Sequence, residues 1–315
     1  MNEKMDTAGF NIGNIAGNGK AGNLLNVKGM KIGNWSYFFS PMARFEETGQ
    51  NILFSLSADG NKIKLSSLTS EGEGQVFIDD KWHWYYNSQV PFVENGKNYI
   101  FCYSNRGNRW FISELSTKWD GQKEIKNGQG FGKDYDVMIP FNENGKNYIF
   151  AHSSSDKSWF MTELSTNWDG KNRIKEGRWA RFYKVLIPFV ENGRSYLFAH
   201  SAQDNRWFVS ELSTKWNGQS ELRCGNWTRY YPSVTAFVHL GKPIAYFHSE
   251  KDRRWFMWEL STDRKTDKDL NNGNLDSFYD TVTSFKENQA CYILAQSSKT
   301  KEFFICPVLS LMCFK

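Results

Sequence analysis

Along most of the chain, apolar and polar positions alternate in short runs, and Gly, Asn or Asp interrupt each run. Alternation of this kind is the period of a half-buried strand, and no segment sustains the period of an amphipathic helix. Residues 183–227 show the pattern clearly: YKVLIPFV, SYLFAHS, RWFVSELS and SELRCGNW read as four consecutive strands. Between the first two lies ENGR, and Asn-Gly is the strongest short hairpin signal because both residues tolerate φ > 0. AQDNR forms the second turn, and TKWNG, rich in turn formers, the third.

The pattern then repeats. An aromatic opens each unit at Trp35, Trp82, Phe131, Trp179 and Trp227, with Leu275 in the last, at spacings of 47, 49, 48, 48 and 48. Two further columns keep the register: Phe45, Phe92, Phe141, Phe189, Phe237, Phe285, and Ser57, Ser104, Ser153, Ser201, Ser249, Ser297. A unit of this length with four antiparallel strands is the blade of a β-propeller. The expected fold is therefore all-β: a six-bladed β-propeller of four-stranded antiparallel blades over residues 24–315, preceded by a flexible Gly/Asn-rich lead at 1–23. The units lie near 35–81, 82–130, 131–178, 179–226, 227–274 and 275–315.

Ring closure is legible too. Complete units end in patterns such as IKEGRW (174–179) and LRCGNW (222–227), whereas the sixth stops short of one. The missing piece stands near the other terminus as MKIGNW, residues 30–35. Residues 24–34 are thus predicted to supply the outer strand of the sixth blade, hiding an edge that would invite aggregation.

Composition adds constraints. Aromatics make up 17% of the residues, with 13 Trp and 25 Phe, which favours strands and large flat contact surfaces. A formal net charge of +5, with both signs interspersed, is too diffuse to argue for a nucleic-acid partner. Cys102, Cys224, Cys291, Cys306 and Cys313 form no CxxC pair, so they read as reduced, mostly buried thiols. No apolar run approaches a membrane span, and MNEKMDTAGFNIGN lacks the apolar stretch of a signal peptide. The expectation is a soluble protein of the cytoplasm, or one released without a signal peptide, with oligomer formation left open. GNIAGNGKAG has the wrong spacing for a phosphate loop and no Ser or Thr after Lys20, so no cofactor is expected.

Alternating strand directions gather the blade-to-blade connections and the second turns on one face. That face collects Trp179–Arg181–Tyr183, Trp227–Arg229–Tyr231 and the variant Trp82–Trp84–Tyr86, together with Arg109, Arg206 and Arg254 at the ends of second turns. Aromatics beside arginines suit a sugar, whose C–H face stacks on a ring while its hydroxyls take directional hydrogen bonds. Candidate carbohydrate-binding residues are Trp82, Tyr86, Arg109, Trp179, Arg181, Tyr183, Arg206, Trp227, Arg229, Tyr231 and Arg254. Several weak sites on one rigid disc would gain by avidity. The bland alternative is that repeated aromatics are blade-to-blade core.

Glu114, Glu163, Glu211 and Glu259 recur in the ELS motif; they either accept sugar hydroxyls or, as buried carboxylates, tie neighbouring blades through backbone N–H groups. His152, His200 and His248 occupy equivalent places in separate blades, which argues for packing and hydrogen bonding over a shared metal. A glycosidase needs two carboxylates around one asymmetric centre, and here the conspicuous acids follow the repeat. No enzyme activity is expected, and no metal site.

Six tandem Trp-rich units with a self-closing ring resemble the β-propeller lectins, a group that includes the tachylectins and the six-bladed fucose-binding lectins of fungi and bacteria. Segments such as TELSTNWDG (162–170) are similar in layout to the third strand of those lectins, with its Glu and following W-D-G. The resemblance implies a multivalent lectin whose partners are glycans or glycoconjugates. Those fucose sites carry an Arg on the second strand, where this chain has Leu197, Phe198, Ala199 and His200. The alternative is a non-catalytic protein-interaction propeller, which predicts one continuous, non-repeating apolar patch where a lectin predicts recurring polar pockets. Closure by the terminal strand has a direct test: a truncation leaving only the first five blades should be insoluble, and a stable folded monomer would overturn it.

Overall fold

The computed structural model describes residues 29–60, 62–81, 85–118, 124–131, 133–170, 172–218, 220–263 and 269–312. Among them are six antiparallel sheets of four strands and one short helix, Val308–Met312. The first strands of the sheets are Phe39–Glu47, Ser88–Glu94, Val137–Glu143, Val185–Glu191, Ser233–His239 and Thr281–Glu287. Each contacts the first strands on both sides, and the series returns from the sixth to the first. The sheets are therefore blades around a central channel: the six-bladed propeller that the repeat predicts. Pro91, Pro140 and Pro188 sit on these channel-lining edge strands, where a missing N–H donor breaks no ladder.

The sixth blade is completed from the opposite end of the chain. Its outer strand is Lys31–Asn34, paired antiparallel with Glu302–Pro307 from Lys31↔Ile305 to Asn34↔Glu302. Of the segment predicted for this role, residues 24–28 lie outside the described residues. The first hairpins form as their sequence requires. Asn144 and Gly145, for example, take φ of 52° and 76°, the pair of left-handed residues that matches strand twist.

Six apolar clusters hold the ring, one at each seam between adjacent blades. A repeated steric fit organises them. In five blades an aromatic of the third strand lies flat across a glycine of the outer strand: Trp110 on Gly128, Trp159 on Gly177, Trp207 on Gly225, Trp255 on Gly273 and Phe303 on Gly33. A Cβ at Gly177 would stand 2.6 Å from the Trp159 ring, so nothing larger fits. Blade 1 shows the converse, with Ile63 facing Asp80 and neither ring nor glycine. The third turn of the following blade covers the exposed ring face: Trp168 stands 4.8 Å from Trp110, and Trp216 stands 5.7 Å from Trp159. In blade 5, Trp258 reaches in from the strand itself, 4.9 Å from Trp207. Each such ring contributes roughly 2–3 kcal/mol by burial.

Gly177→Ala should lower the urea midpoint by an amount equivalent to about 1–3 kcal/mol, the usual result of overpacking. Adding Trp159→Ile, the blade 1 solution, should recover part of that loss; strict additivity in a double-mutant cycle would show that ring and glycine are not a matched pair.

Candidate interaction faces

Strand directions place the blade connections and second turns on one face, the connection face. The Asn-Gly hairpins and third turns emerge on the other, the hairpin face. On the connection face the sequence-predicted aromatics are largely covered. Tyr86, Tyr183 and Tyr231 are buried edge-on against Phe111, Phe208 and Phe256 at 4.9, 4.9 and 4.7 Å. Trp179 and Trp227 are half-buried, 5.4 Å from Phe150 and 5.6 Å from Phe198, and Trp179 Nε1 donates to the Gly218 carbonyl at 2.9 Å. Trp82 lies outside the described residues.

The predicted arginines have partners inside their own blades. Arg181 Nε pairs with Asp204 at 2.9 Å, Arg229 pairs with Asp252, and Lys133 takes the same role with Asp156 at 2.7 Å. Each of these aspartates also accepts a backbone N–H within its own second turn, from Arg206, Arg254 and Ser158 respectively. The Lys133 hydrogen bond holds the Asp156 carboxyl well below the usual carboxylate range. Arg109, Arg206 and Arg254 cross to the outer strand, meeting Glu124 at 2.9 Å, Glu221 at 2.6 Å and Asp269 at 3.2 Å. These charges bind turn to connection and third strand to fourth. A cavity of about 510 Å³ opens at the channel mouth on this face, lined by Pro41, Gln89, Asp136, Met138, Phe182 and Lys184 among others. None of the candidate carbohydrate-binding residues lines it.

The hairpin face carries the ties between blades. In five blades the glutamate before the first hairpin turn accepts the backbone N–H of a Thr or Ser in the next blade. Glu47 takes Thr117, Glu94 takes Thr166, Glu143 takes Thr214, Glu191 takes Thr262 and Glu287 takes Ser70, at 2.8–3.0 Å. The ELS glutamates differ from expectation. Glu114 and Glu163 are about half exposed, and with Glu259 they pair with the hairpin lysines Lys97, Lys146 and Lys242 of their own blades. Long flexible lysines beside the strand end reach these carboxylates before any neighbouring backbone does. The true inter-blade carboxylates were present in the sequence as a Glu column, but hairpin chemistry alone explained that stretch.

Beside these ties lie polar clefts at equivalent positions of two seams. One, of about 390 Å³, is lined by Lys286–Asn288, Gly49–Asn51 and Ser67–Thr69 between blades 6 and 1. The other, of about 620 Å³, is lined by Asn142–Asn144, Gly193–Ser195 and Glu211–Asn217 between blades 3 and 4. In the second, the hairpin cation is Arg194, and among the described residues neither Arg194 nor Glu211 has an ion-pair partner. Trp216 Nε1 is buried at the same cleft with no hydrogen-bond partner.

The seam between blades 5 and 6 departs from the rest. Where five blades have Glu before the turn, blade 5 has His239. Where the others have Asn or Thr at the first turn position, blade 5 has Leu240, 89% exposed at φ 49°. Facing it, the short helix occupies the place of the third turn. Leu309, 60% exposed, takes a position that is Thr69, Ser116, Ser165, Ser213 and Ser261 elsewhere. Val238 and, on the adjoining first strand of blade 4, Val190 extend the apolar surface along the channel rim.

His152, His200 and His248 are buried among seam aromatics. The His152 ring bridges the Ser158 carbonyl at 3.1 Å and the Tyr183 N–H at 3.2 Å, across the seam from blade 3 to blade 4. Gln296 fills the equivalent place in blade 6, accepting from Phe39 N–H at 2.9 Å and donating to the Tyr37 carbonyl at 2.7 Å. Burial lowers all three imidazoles from 6.5 to about 4. Between those values the unfolded chain binds more protons than the folded one, so stability rises with pH. The contribution is complete above about pH 6.5 and is lost as pH falls toward 4, on the order of 3 kcal/mol per histidine. Thermal midpoints should therefore fall steeply from pH 6.5 to 5, and His→Gln at all three positions should flatten that slope. An unchanged slope would remove the histidines from the explanation.

Among the described residues, no three His, Cys, Asp or Glu side chains converge to hold a metal, and no helix is long and apolar enough to cross a membrane. Neither a protein-family model nor a curated protein matches the sequence. Among solved structures, the β-propeller domain of Cps50 (Swd1) from Myceliophteria thermophila superposes with a TM-score of 0.52. It covers 85% of this chain and 99% of that domain at 10% identity. At that identity the likeness establishes the β-propeller fold and nothing finer.

Proposed function

We propose that this propeller is a non-catalytic scaffold that docks other proteins on its hairpin face, at the seam of blades 5 and 6. One observation carries it: the exposed Leu240 and Leu309, which break the repeat and stand beside the exposed Val238 and Val190. Exposed aliphatic side chains clustered at one place on a ring mark an interaction site better than evenly scattered ones. The connection-face arginines and tyrosines are engaged within the fold, which favours a docking surface over a ring of equivalent ligand sites.

Carbohydrate binding is the second reading, and the polar clefts support it. Among the described residues Arg194 and Glu211 have no ion-pair partner, and they stand beside amides and hydroxyls at the seam of blades 3 and 4. Two measurements separate the readings. A protein captured from the native source, then purified and titrated, should bind about tenfold more weakly to Leu309→Asp at unchanged thermal midpoint, while a broad glycan array stays silent. Array binding that free sugar competes away, and that Arg194→Ala with Glu211→Gln abolishes, would instead establish the second reading.

A further inference from the structure

The patch at the seam of blades 5 and 6 also carries information about what it binds. Three polar columns fail at one place: the tie carboxylate becomes His239, the turn Asn becomes Leu240, and the third-turn hydroxyl becomes Leu309. The middle change works against the fold. A γ-branched residue at positive φ is disfavoured relative to Asn, and here the side chain gains no compensating burial, being 89% exposed. Strain kept without a packing return is a feature of binding sites.

The carboxylates nearest the patch are engaged, and the exposed Glu46 stands one blade further on, at the cleft between blades 6 and 1. Of the carboxylates nearest on this face, Glu191 is held by the Thr262 N–H and hydroxyl, Glu259 by Lys242, and Glu287 by the Ser70 N–H. Asp263 is exposed but stands on the outer turn of blade 5, away from the channel rim. On the rim itself, Lys286 of blade 6 is exposed at the position equivalent to Val238 of the adjoining first strand, and blade 5 carries His239 where the other blades carry a glutamate. The tie that would have brought negative charge to this seam is the one that is missing.

Resting on the scaffold reading above, we propose that the occupant of this patch is an acidic peptide segment bearing large aliphatic side chains. Its apolar groups would cover Leu240, Leu309 and Val238 while its carboxylates approach Lys286 and the imidazole N–H of His239. A neutral or basic segment would leave the Lys286 ammonium desolvated or opposed.

Selection from a random peptide library on the full-length protein tests this. Enriched peptides should combine aliphatic residues with an excess of Asp and Glu. Their affinity should fall about tenfold or more between roughly 0.05 M and 0.5 M salt, as screening shortens the reach of Lys286. Leu240→Asn, which restores the residue of four other blades, should raise the thermal midpoint yet weaken binding about tenfold or more, and Lys286→Glu should weaken it severalfold. Peptides that depend on Leu240 but show no acidic excess and no salt dependence would overturn this inference and leave the scaffold reading intact. Enrichment of nothing, or of peptides indifferent to Leu240→Asn, would overturn both.

Discussion

A four-stranded blade of this protein has two apolar faces and can bury neither alone, so much of its apolar burial lies between blades. The pairing of a flat aromatic with a facing glycine is the constraint on which this depends. Because Trp159 lies across Gly177, its outer face is presented to the next blade, where Trp216 covers it. The same stack recurs around the ring, and blade 1 abandons ring and glycine together, as a mutual steric requirement demands. Polar ties follow the same seams. Near the channel are Asn98, Asn147 and Ser195 on neighbouring carbonyls, and farther out are Lys126, Lys175 and Arg223 on the third turns of the next blade. The buried His152 bridges the seam of blades 3 and 4 in between.

This arrangement explains why residues that looked like repeated ligand groups have structural partners. A side chain recurring in every blade sits in an environment that recurs as well, and in a closed ring that environment is usually the next blade. Arg181 with Asp204 and Arg109 with Glu124 are cases in point. Surface available for recognition is then best sought where one blade departs from its siblings. The seam of blades 5 and 6 departs because the ring closes nearby. The sixth blade borrows its outer strand from Lys31–Asn34, so no third turn is needed there, and the short helix with Leu309 occupies the space.

Much of this was legible in sequence. Spacing of the opening aromatics gave the blade count, Asn-Gly gave the hairpins, and MKIGNW at 30–35 gave the closure, since each depends on local backbone chemistry or on a repeat visible by eye. The glutamate ties were present as a column but could not be interpreted, because their acceptor role needs an N–H about seventy residues away. The ELS glutamates misled for the opposite reason: their partner, a lysine seventeen residues earlier, is brought alongside by the strand register.

Strand period, turn chemistry and repeat length therefore determined the architecture by themselves, since these act over distances shorter than one blade. Only the tertiary structure decided which face each charge serves, which aromatics are covered, and where the surface stops being the same on every blade. Those properties depend on the neighbour across a seam, and a neighbour across a seam is close in space while remaining a whole blade away along the chain.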